Sequence, residues 1–350
     1  MSSTEFTHEK YMQRCLQLAA LGAGVVSPNP MVGAVLVYGD TIIGEGYHQT
    51  YGMAHAEINC LNSVSIENKQ LIPLSVLYVS LEPCAHFGKT PPCTNRIITE
   101  KIKQVVIGSI DPFSKVNGRG IAQLKAAGIG VVSGILKNEC DELNKRFFCI
   151  QEKKRPYIIL KWAQTANKKI AFKNGERLMI SNSITQRLVH KWRTEEDAIM
   201  VGTKTALLDN PMLDNRFFPG KMPVRIVPDK DLKLPLNLNI FDKKQRTIIF
   251  NENKNEEQDF LSYQKIDMYG EHSLQRMLQK CAGENIQSIL VEGGATLLNN
   301  FIKENLWDEM RVITNENLLV EDAIDAPEIN GILLKSEQIF SDRIDYYRNI

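Results

Sequence analysis

The chain has 350 residues, enough for two domains that each bury a core of their own. Hydrophobic residues at 43% and charged residues at 24% exclude a disordered or collagen-like chain. Lys and Arg number 42 against 41 for Asp and Glu, so a net charge of +1 supplies no field for a polyanion, and nucleic acid is not an expected partner.

Helical spacing of Tyr11, Cys15, Leu18, Ala19 and Gly22 predicts a helix over 8–23, stopped by Ser27-Pro28-Asn29-Pro30. Residues 16–26 have the apolarity of a signal peptide, but Glu5 and Glu9 precede them and the pattern is amphipathic, so a helix is the better reading. The β-rich run 31–38, the turn Gly39-Asp40 and the run 41–47 predict an antiparallel hairpin. Residues 54–64 then read as a helix, 75–80 as a buried strand, 94–101 as a helix and 104–109 as a strand, and 120–132 repeats helix, turn and strand. This alternation predicts an α/β domain around a buried sheet. Apolar runs such as 31–37 fall far short of the ~18–20 residues that cross a bilayer, so no membrane segment is expected.

The charged run 151–156, ending in Pro156, is the candidate linker, giving a first domain over 1–150 and a second over 155–350. In the second, strands are expected at 157–162, 198–202, 224–227, 247–250 and 286–291, helices at 183–192 and 295–304, and a solvated loop at 251–259.

Seven cysteines, odd in number and scattered, suit a reducing cytoplasm, where a cluster means metal or catalysis more often than disulfides. His55-Ala56-Glu57 opens one helix, and Pro83-Cys84 with Cys93 lies between a strand and the next helix. One imidazole and two thiolates suit tetrahedral zinc (Zn2+) and leave its fourth position to water, while Glu57 stands two residues from His55 as a proton shuttle. This follows the zinc-deaminase signature H-x-E with P-C-x-x-C, except that eight residues separate the cysteines. The insert 85–92 brings His86, Lys89 and backbone amides, a set suited to phosphate. The competing reading is a closed structural zinc with His86 as fourth ligand. Cys15, Cys60, Cys140, Cys149 and Cys281 have no such context and read as small buried hydrophobes.

On these motifs, and on Ser27-Pro28-Asn29-Pro30-Met31-Val32-Gly33, the chain resembles the bifunctional riboflavin-biosynthesis family, a pyrimidine deaminase fused to a pyrimidine reductase. The resemblance runs over nearly the whole length. It implies two three-layer α/β domains, the first cytidine-deaminase-like and the second dihydrofolate-reductase-like. It places the zinc on His55, Cys84 and Cys93, proton transfer on Glu57, and substrate contacts on Asn29, His48, His86, Lys89 and Asp111. The family's Asp-Pro-Asn-Pro reads Asp111-Pro112-Phe113-Ser114 here.

In the second half, Arg193, Leu213, Arg216 and Glu292 fall at the family's substrate positions, and Ala163, Thr205, Asp209, Gly294, Ala295 and Thr296 at its NADPH positions. Gly293-Gly294 between a strand and a helix lets amides approach a phosphate. Arg193 and Arg216 look like the clamp for the substrate phosphate, and Lys161 with Glu292 would stand near the reacting carbonyl. Asn167-Lys168 replaces the family's Asp-Gly, and Met179 replaces a cofactor-side Trp.

The reading is a cytoplasmic, homo-oligomeric enzyme acting on small phosphorylated pyrimidines. It deaminates a diamino-ribosylamino-pyrimidinone 5′-phosphate by hydrolysis and then reduces the ribosyl chain with NADPH. Alternatives are a deaminase whose reductase half has decayed, a nucleoside or tRNA deaminase, and a zinc-stabilised interaction protein, which requires four protein ligands.

Overall fold

The computed structural model describes residues 3–87, 91–113 and 116–350, with side chains from His8 onward. The chain divides into two compact units, Met1–Lys153 and Lys154–Ile350. The first runs α1 (Ser3–Ala20), β1 (Gly33–Tyr38), β2 (Thr41–Tyr47), α2 (Ala56–Asn62), β3 (Val76–Leu81), α3 (Cys93–Thr99), β4 (Gln104–Ser109), α4 (Arg119–Ala126), β5 (Gly130–Ser133), α5 (Lys137–Leu143) and α6 (Lys145–Lys153). Its sheet has the order β2-β1-β3-β4-β5. β1 is antiparallel to β2, forming the expected hairpin, and to β3, while β3, β4 and β5 are parallel.

The two-residue period of the strands builds the layers. Ala34, Leu36, Leu77, Val79, Val105 and Ile107 face one core with α2, α3 and α4; the intervening Val35, Val37, Tyr78 and Val106 face the other with α1. Two glycines set how closely the helices lie. A Cβ on Gly33 would stand 2.0 Å from the Cys15 carbonyl oxygen on α1, and one on Gly46 2.2 Å from the Cys60 amide nitrogen on α2. Backbone rests on backbone at both points, so α2, which opens at the candidate ligand His55, is seated directly on β2.

The second unit runs β6 (Tyr157–Thr165), β7 (Lys169–Phe172), α7 (Ser183–Glu195), β8 (Ala198–Met200), α8 (Thr203–Asp209), β9 (Val224–Pro228), β10 (Thr247–Asn251), β11 (Glu256–Gln258), β12 (Leu261–Lys265), α9 (Ser273–Gly283), β13 (Ser288–Val291), α10 (Ala295–Lys303), β14 (Glu309–Asn315), β15 (Ala323–Asp325), β16 (Ile332–Ile339) and β17 (Asp342–Arg348). Ten of these strands form one sheet, β11-β12-β10-β9-β8-β13-β6-β14-β17-β16, and β7 pairs with β15. Alternating residues again feed two cores: Ala198, Met200, Ile226 and Ile248 lie with α9 and α10, and Ile199, Val201, Val227 and Ile249 with Ala206 and Leu213.

The boundary between the two units, after Lys153, falls inside the charged run 151–156, of which 151–153 complete α6 while β6 begins at Tyr157. One expectation is corrected. The expected loop 251–259 contains β11, whose polar residues pair with the more apolar β12. Among the described residues no helix is long and apolar enough to cross a membrane.

Gly46→Ala should lower the melting temperature and loosen retention of a metal at His55, because the clash is with backbone and no side-chain rotation relieves it. Calorimetry together with zinc-to-protein ratios checks this; an unchanged melting temperature contradicts it.

Candidate metal centre and active-site cleft

His55 caps α2 from an extended backbone conformation, and its carbonyl accepts from the Asn59 amide at 3.0 Å. Cys93 is the first residue of α3, and Cys84 lies three residues beyond β3. The Thr94 amide and hydroxyl both donate to the Cys84 carbonyl, at 3.3 and 3.1 Å, tying the Cys84 loop to α3. Before Cys84, the buried Glu82 carboxylate accepts from the Gly118 and Ile121 amides at 2.9 and 3.1 Å, anchoring the loop to the start of α4.

These anchors bring His55 Nδ1, Cys84 Sγ and Cys93 Sγ within 4.8 Å of one another. His55 Nδ1 is 3.5 Å from Cys84 Sγ and 3.3 Å from Cys93 Sγ. Zinc bonded to nitrogen and sulfur at its usual lengths separates the two atoms by about 3.6 Å in a tetrahedron, so the donor set and its spacing fit zinc. The Cys84 thiol is held well below its usual range, first by the hydrogen bond from Cys93 and then by His55 and the Cys93 amide, against the effect of burial. A thiolate waiting beside an imidazole is the form a metal takes. His86 is not among the converging ligands, which removes the closed four-ligand arrangement with His86.

Glu57, in the first turn of α2, is buried, and that burial pushes its carboxyl up. The buried His48 lies edge-on to His55, with ring centroids 5.4 Å apart. Its Nδ1 is 3.1 Å from the Ala54 carbonyl and its Nε2 3.0 Å from Asn29 Nδ2. A carbonyl only accepts, so the His48 proton is on Nδ1, Nε2 accepts from the Asn29 amide, and Asn29 Oδ1 is left over. His86 has a buried Nδ1 with no partner and sits edge-on to Phe113 at 5.8 Å. Asp111 is buried, and its carboxyl is pushed up to about 7 by that burial, with Glu82 and Cys84 adding to the effect. Lys89 and Ser114 lie outside the described residues.

In the second unit, the candidates converge on a cleft of about 910 Å³. β6 contributes Lys161 and Ala163, α7 contributes Arg193, and α8 contributes Thr205 and Asp209. Leu213 and Arg216 come from the segment before β9, and Glu292, Gly294, Ala295 and Thr296 from the β13–α10 turn. The Thr205 hydroxyl accepts from the Gly294 amide at 2.9 Å, so that amide is already used, while Ala295 and Thr296 open α10, where helical amides have no intrahelical partner.

A buried charge network crosses the cleft wall. Arg193 donates to both Glu292 oxygens, at 2.8 and 2.9 Å, and to the Asp214 carbonyl at 2.7 Å. Lys161 Nζ reaches Glu292 at 3.5 Å. Burial would raise the Glu292 carboxyl, but Arg193 and Lys161 overcome it and hold it at about 2. Lys161 is itself lowered, by burial first, with Glu292 opposing and Arg193 assisting. The two arginines are therefore not equivalent: Arg193 is spent on Glu292 and Asp214, whereas the Arg216 side chain is 45% exposed and bonded to Asp214 and Met212 through Nη1 alone.

His190, missed in the sequence, lines the same cleft, buried and edge-on to Phe217 at 4.7 Å. Burial and the Arg193 and Arg216 charges push it down to about 4, so its ring is neutral. Its three-residue offset from Arg193 on α7 was the available signal. The Asn167-Lys168 departure lies in a turn rather than on the cleft wall: Asn167 bonds Thr165 and Val320, and Lys168 takes a left-handed φ of 58°. Met179 lies on the cleft wall.

Two family models match the chain. The cytidine and deoxycytidylate deaminase zinc-binding region matches residues 6–109, and the RibD C-terminal domain matches 156–319. Riboflavin biosynthesis protein RibD of Actinobacillus pleuropneumoniae is 41% identical over 82% of this chain and 78% of its own length. That of Aquifex aeolicus is 37% identical over 89% and 88%, and that of Escherichia coli 32% over 90% and 89%. A Thermotoga maritima structure, a diaminohydroxyphosphoribosylaminopyrimidine deaminase/5-amino-6-(5-phosphoribosylamino)uracil reductase, superposes with a TM-score of 0.89 at 32% identity, covering 99% of this chain and 100% of that one. The chain belongs to the RibD family of bifunctional riboflavin-biosynthesis enzymes, with a zinc-binding deaminase domain followed by a reductase domain.

Proposed function

We propose that the first unit removes a ring amino group from a phosphorylated diamino-ribosylaminopyrimidine by hydrolysis, and that the second reduces the ribosyl chain of the product to ribityl with NADPH. The observation that carries this reading is the convergence of His55, Cys84 and Cys93 within 4.8 Å beside the buried Glu57. The name of the Thermotoga relative supports the substrate class.

Zinc, which His55, Cys84 and Cys93 would hold, would supply acidification of water. Glu57 would take a proton from the attacking water and deliver one to the departing amine, so that water is consumed and ammonia released. Its carboxyl, raised by burial, is suited to holding the proton between the two transfers. Asn29 Oδ1, freed by the His48 contact, accepts from a pyrimidine N–H, and His86 and Lys89 serve the substrate phosphate. Asp111 borders the same site.

NADPH, when bound, supplies the hydride. Its phosphates suit the amides of Ala295 and Thr296 at the start of α10, with Ala163, Thr205 and Asp209 lining the rest of its path. Lys161, made a stronger acid by burial, donates a proton to the oxygen of the sugar carbonyl as negative charge develops there. Glu292 aims the Lys161 ammonium, and Arg193 fixes Glu292. Arg216 takes the substrate phosphate, with Leu213 beside it.

Supplying the aminopyrimidine phosphate with and without NADPH, while following ammonia and nicotinamide absorbance separately, tests both halves. Ammonia in both cases and NADPH oxidation after it are expected; ammonia with no NADPH oxidation overturns the reading of the second unit. In the same assay Glu57→Gln should keep its zinc and lose about 10²–10⁴-fold in ammonia release. Ammonia release at the wild-type rate removes Glu57 from proton transfer. Lys161→Met should cut NADPH oxidation by about 10²-fold or more and leave ammonia release intact. Retained oxidation assigns the proton donor elsewhere.

A further inference from the structure

His190 stands on the wall of the second unit's cleft with a polar ring that bonds to nothing around it. It lies on α7 one turn before Arg193, and its side chain is buried. Nδ1 is shut off from solvent and has no hydrogen-bond partner. Nε2 is not shut off, and no hydrogen bond among the described residues engages it. Leaving a buried polar group unpaired is costly, so a ring held in this way points to a ligand that completes it.

The surroundings indicate the chemistry of that ligand. The Phe217 ring lies edge-on to His190 with centroids 4.7 Å apart, and the Arg216 guanidinium carbon is 5.2 Å from the centre of the same ring. One phenyl ring, itself 48% exposed, thus braces an imidazole and a guanidinium on one wall. Arg216 bonds Asp214 and Met212 through Nη1 alone, which leaves Nε and Nη2 for a ligand. Four charged groups face the imidazole: Arg193 from α7, Arg216 and Asp214 from the segment before β9, and Glu292 from the β13–α10 turn. Burial and then the two guanidiniums keep the ring neutral, with Asp214 and Glu292 too weak to offset them. The local potential is therefore positive, and it draws an anion, whereas the pyrimidine and the sugar carry no charge for it to act on. A neutral imidazole has one N–H. Beside two guanidiniums a lone pair on Nδ1 is cheaper than a buried N–H with no acceptor, so the proton sits on Nε2, the nitrogen that reaches the cleft. A directed N–H next to two unused guanidinium donors suits the several oxygens of one phosphate.

We propose that His190 is a phosphate-contacting residue of the second unit: its Nε2–H donates to an oxygen of the substrate phosphate that Arg216 holds, and the cleft thereby selects phosphorylated over unphosphorylated pyrimidines. This rests on the reading of the second unit as the site of NADPH reduction.

NADPH oxidation by the full chain tests it, with the deaminated pyrimidine as phosphate and as dephosphorylated nucleoside. A hydrogen bond to phosphate is made alike in ground and transition states, so His190→Leu should raise KM for the phosphate about tenfold or more with little change in kcat. His190→Gln, which carries an N–H to a similar reach, should recover most of that loss. With the nucleoside, wild type and His190→Leu should have the same kcat/KM. An unchanged KM in His190→Leu, an equal loss on the nucleoside, or a His190→Gln variant as impaired as His190→Leu overturns the proposal. A readout independent of turnover and of the folding of His190→Leu is the ring-nitrogen NMR spectrum of the wild-type chain, with the His190 signals identified as those missing from His190→Gln. Ribose 5-phosphate should move the His190 Nε2 signal, and ribose should not. A signal that moves in a chain that oxidises no NADPH supports the phosphate contact while contradicting the hydride step. A signal that stays in place overturns the contact even if NADPH oxidation proceeds.

Discussion

Two sulfurs and a ring nitrogen drawn within 4.8 Å, around a position where thiolate charge accumulates, are the constraint on which the first unit turns. Cys84 and Cys93 come from opposite ends of the β3–α3 connection and His55 from the start of α2, so a cation among them joins segments otherwise joined only through packing and a few hydrogen bonds. The fold prepares that joint from several directions. Gly46 lets α2 settle on β2, Glu82 ties the Cys84 loop to α4, and Thr94 ties it to α3. Ligand geometry is thus supported by contacts that are not ligands, and the buried Glu57 lies in the first turn of the helix that His55 caps.

The second unit solves a different electrostatic problem with the same economy of parts. Lys161 and Glu292 lie on adjacent parallel strands or at their ends, and a buried ion pair there is costly unless both partners are further satisfied. Arg193 provides that, using Nε and Nη2 on the carboxylate and Nη1 on the Asp214 carbonyl. Burial is what lowers the proton affinity of Lys161 beside the cleft; Glu292 opposes it, and the Arg193 charge on the same carboxylate adds to it. A glycine-rich strand-to-helix turn at Gly293-Gly294 places the start of α10 on the same rim.

Much of the first unit was legible because its chemistry is local in sequence. His55 and Glu57 are two residues apart, Pro83-Cys84 and Cys93 bracket one insert, and the alternation of apolar residues in β1, β3 and β4 reads directly as a two-faced sheet. What could not be read was assembled at long range. The engagement of Arg193 depends on Glu292, 99 positions away, and no local pattern announces it. His190 looked like an ordinary helical residue because its isolation from partners is a property of packing. The helical state of 151–153 within the run read as a linker was hidden, since charge and proline mark an exposed segment whether it is a loop or the last turn of an amphipathic helix such as α6. β11 was hidden for a related reason: an edge strand with no buried face has no apolar period to detect. The replacement Asn167-Lys168, which raised the question of a decayed second half, proved to occupy a turn in which the Asn167 side chain accepts from the Thr165 hydroxyl and donates to the Val320 carbonyl, a donation aspartate could not make.

The central claim is that one imidazole and two thiolates of this chain hold zinc, with no fourth protein ligand among the described residues. X-ray absorption at the zinc edge of the purified full chain tests it most directly. The account predicts one zinc per chain with two sulfur neighbours at about 2.3 Å, one imidazole nitrogen at about 2.0–2.1 Å, and one further light atom that exchanges with added ligand. A third sulfur, a second imidazole, or a fully active protein without metal contradicts it.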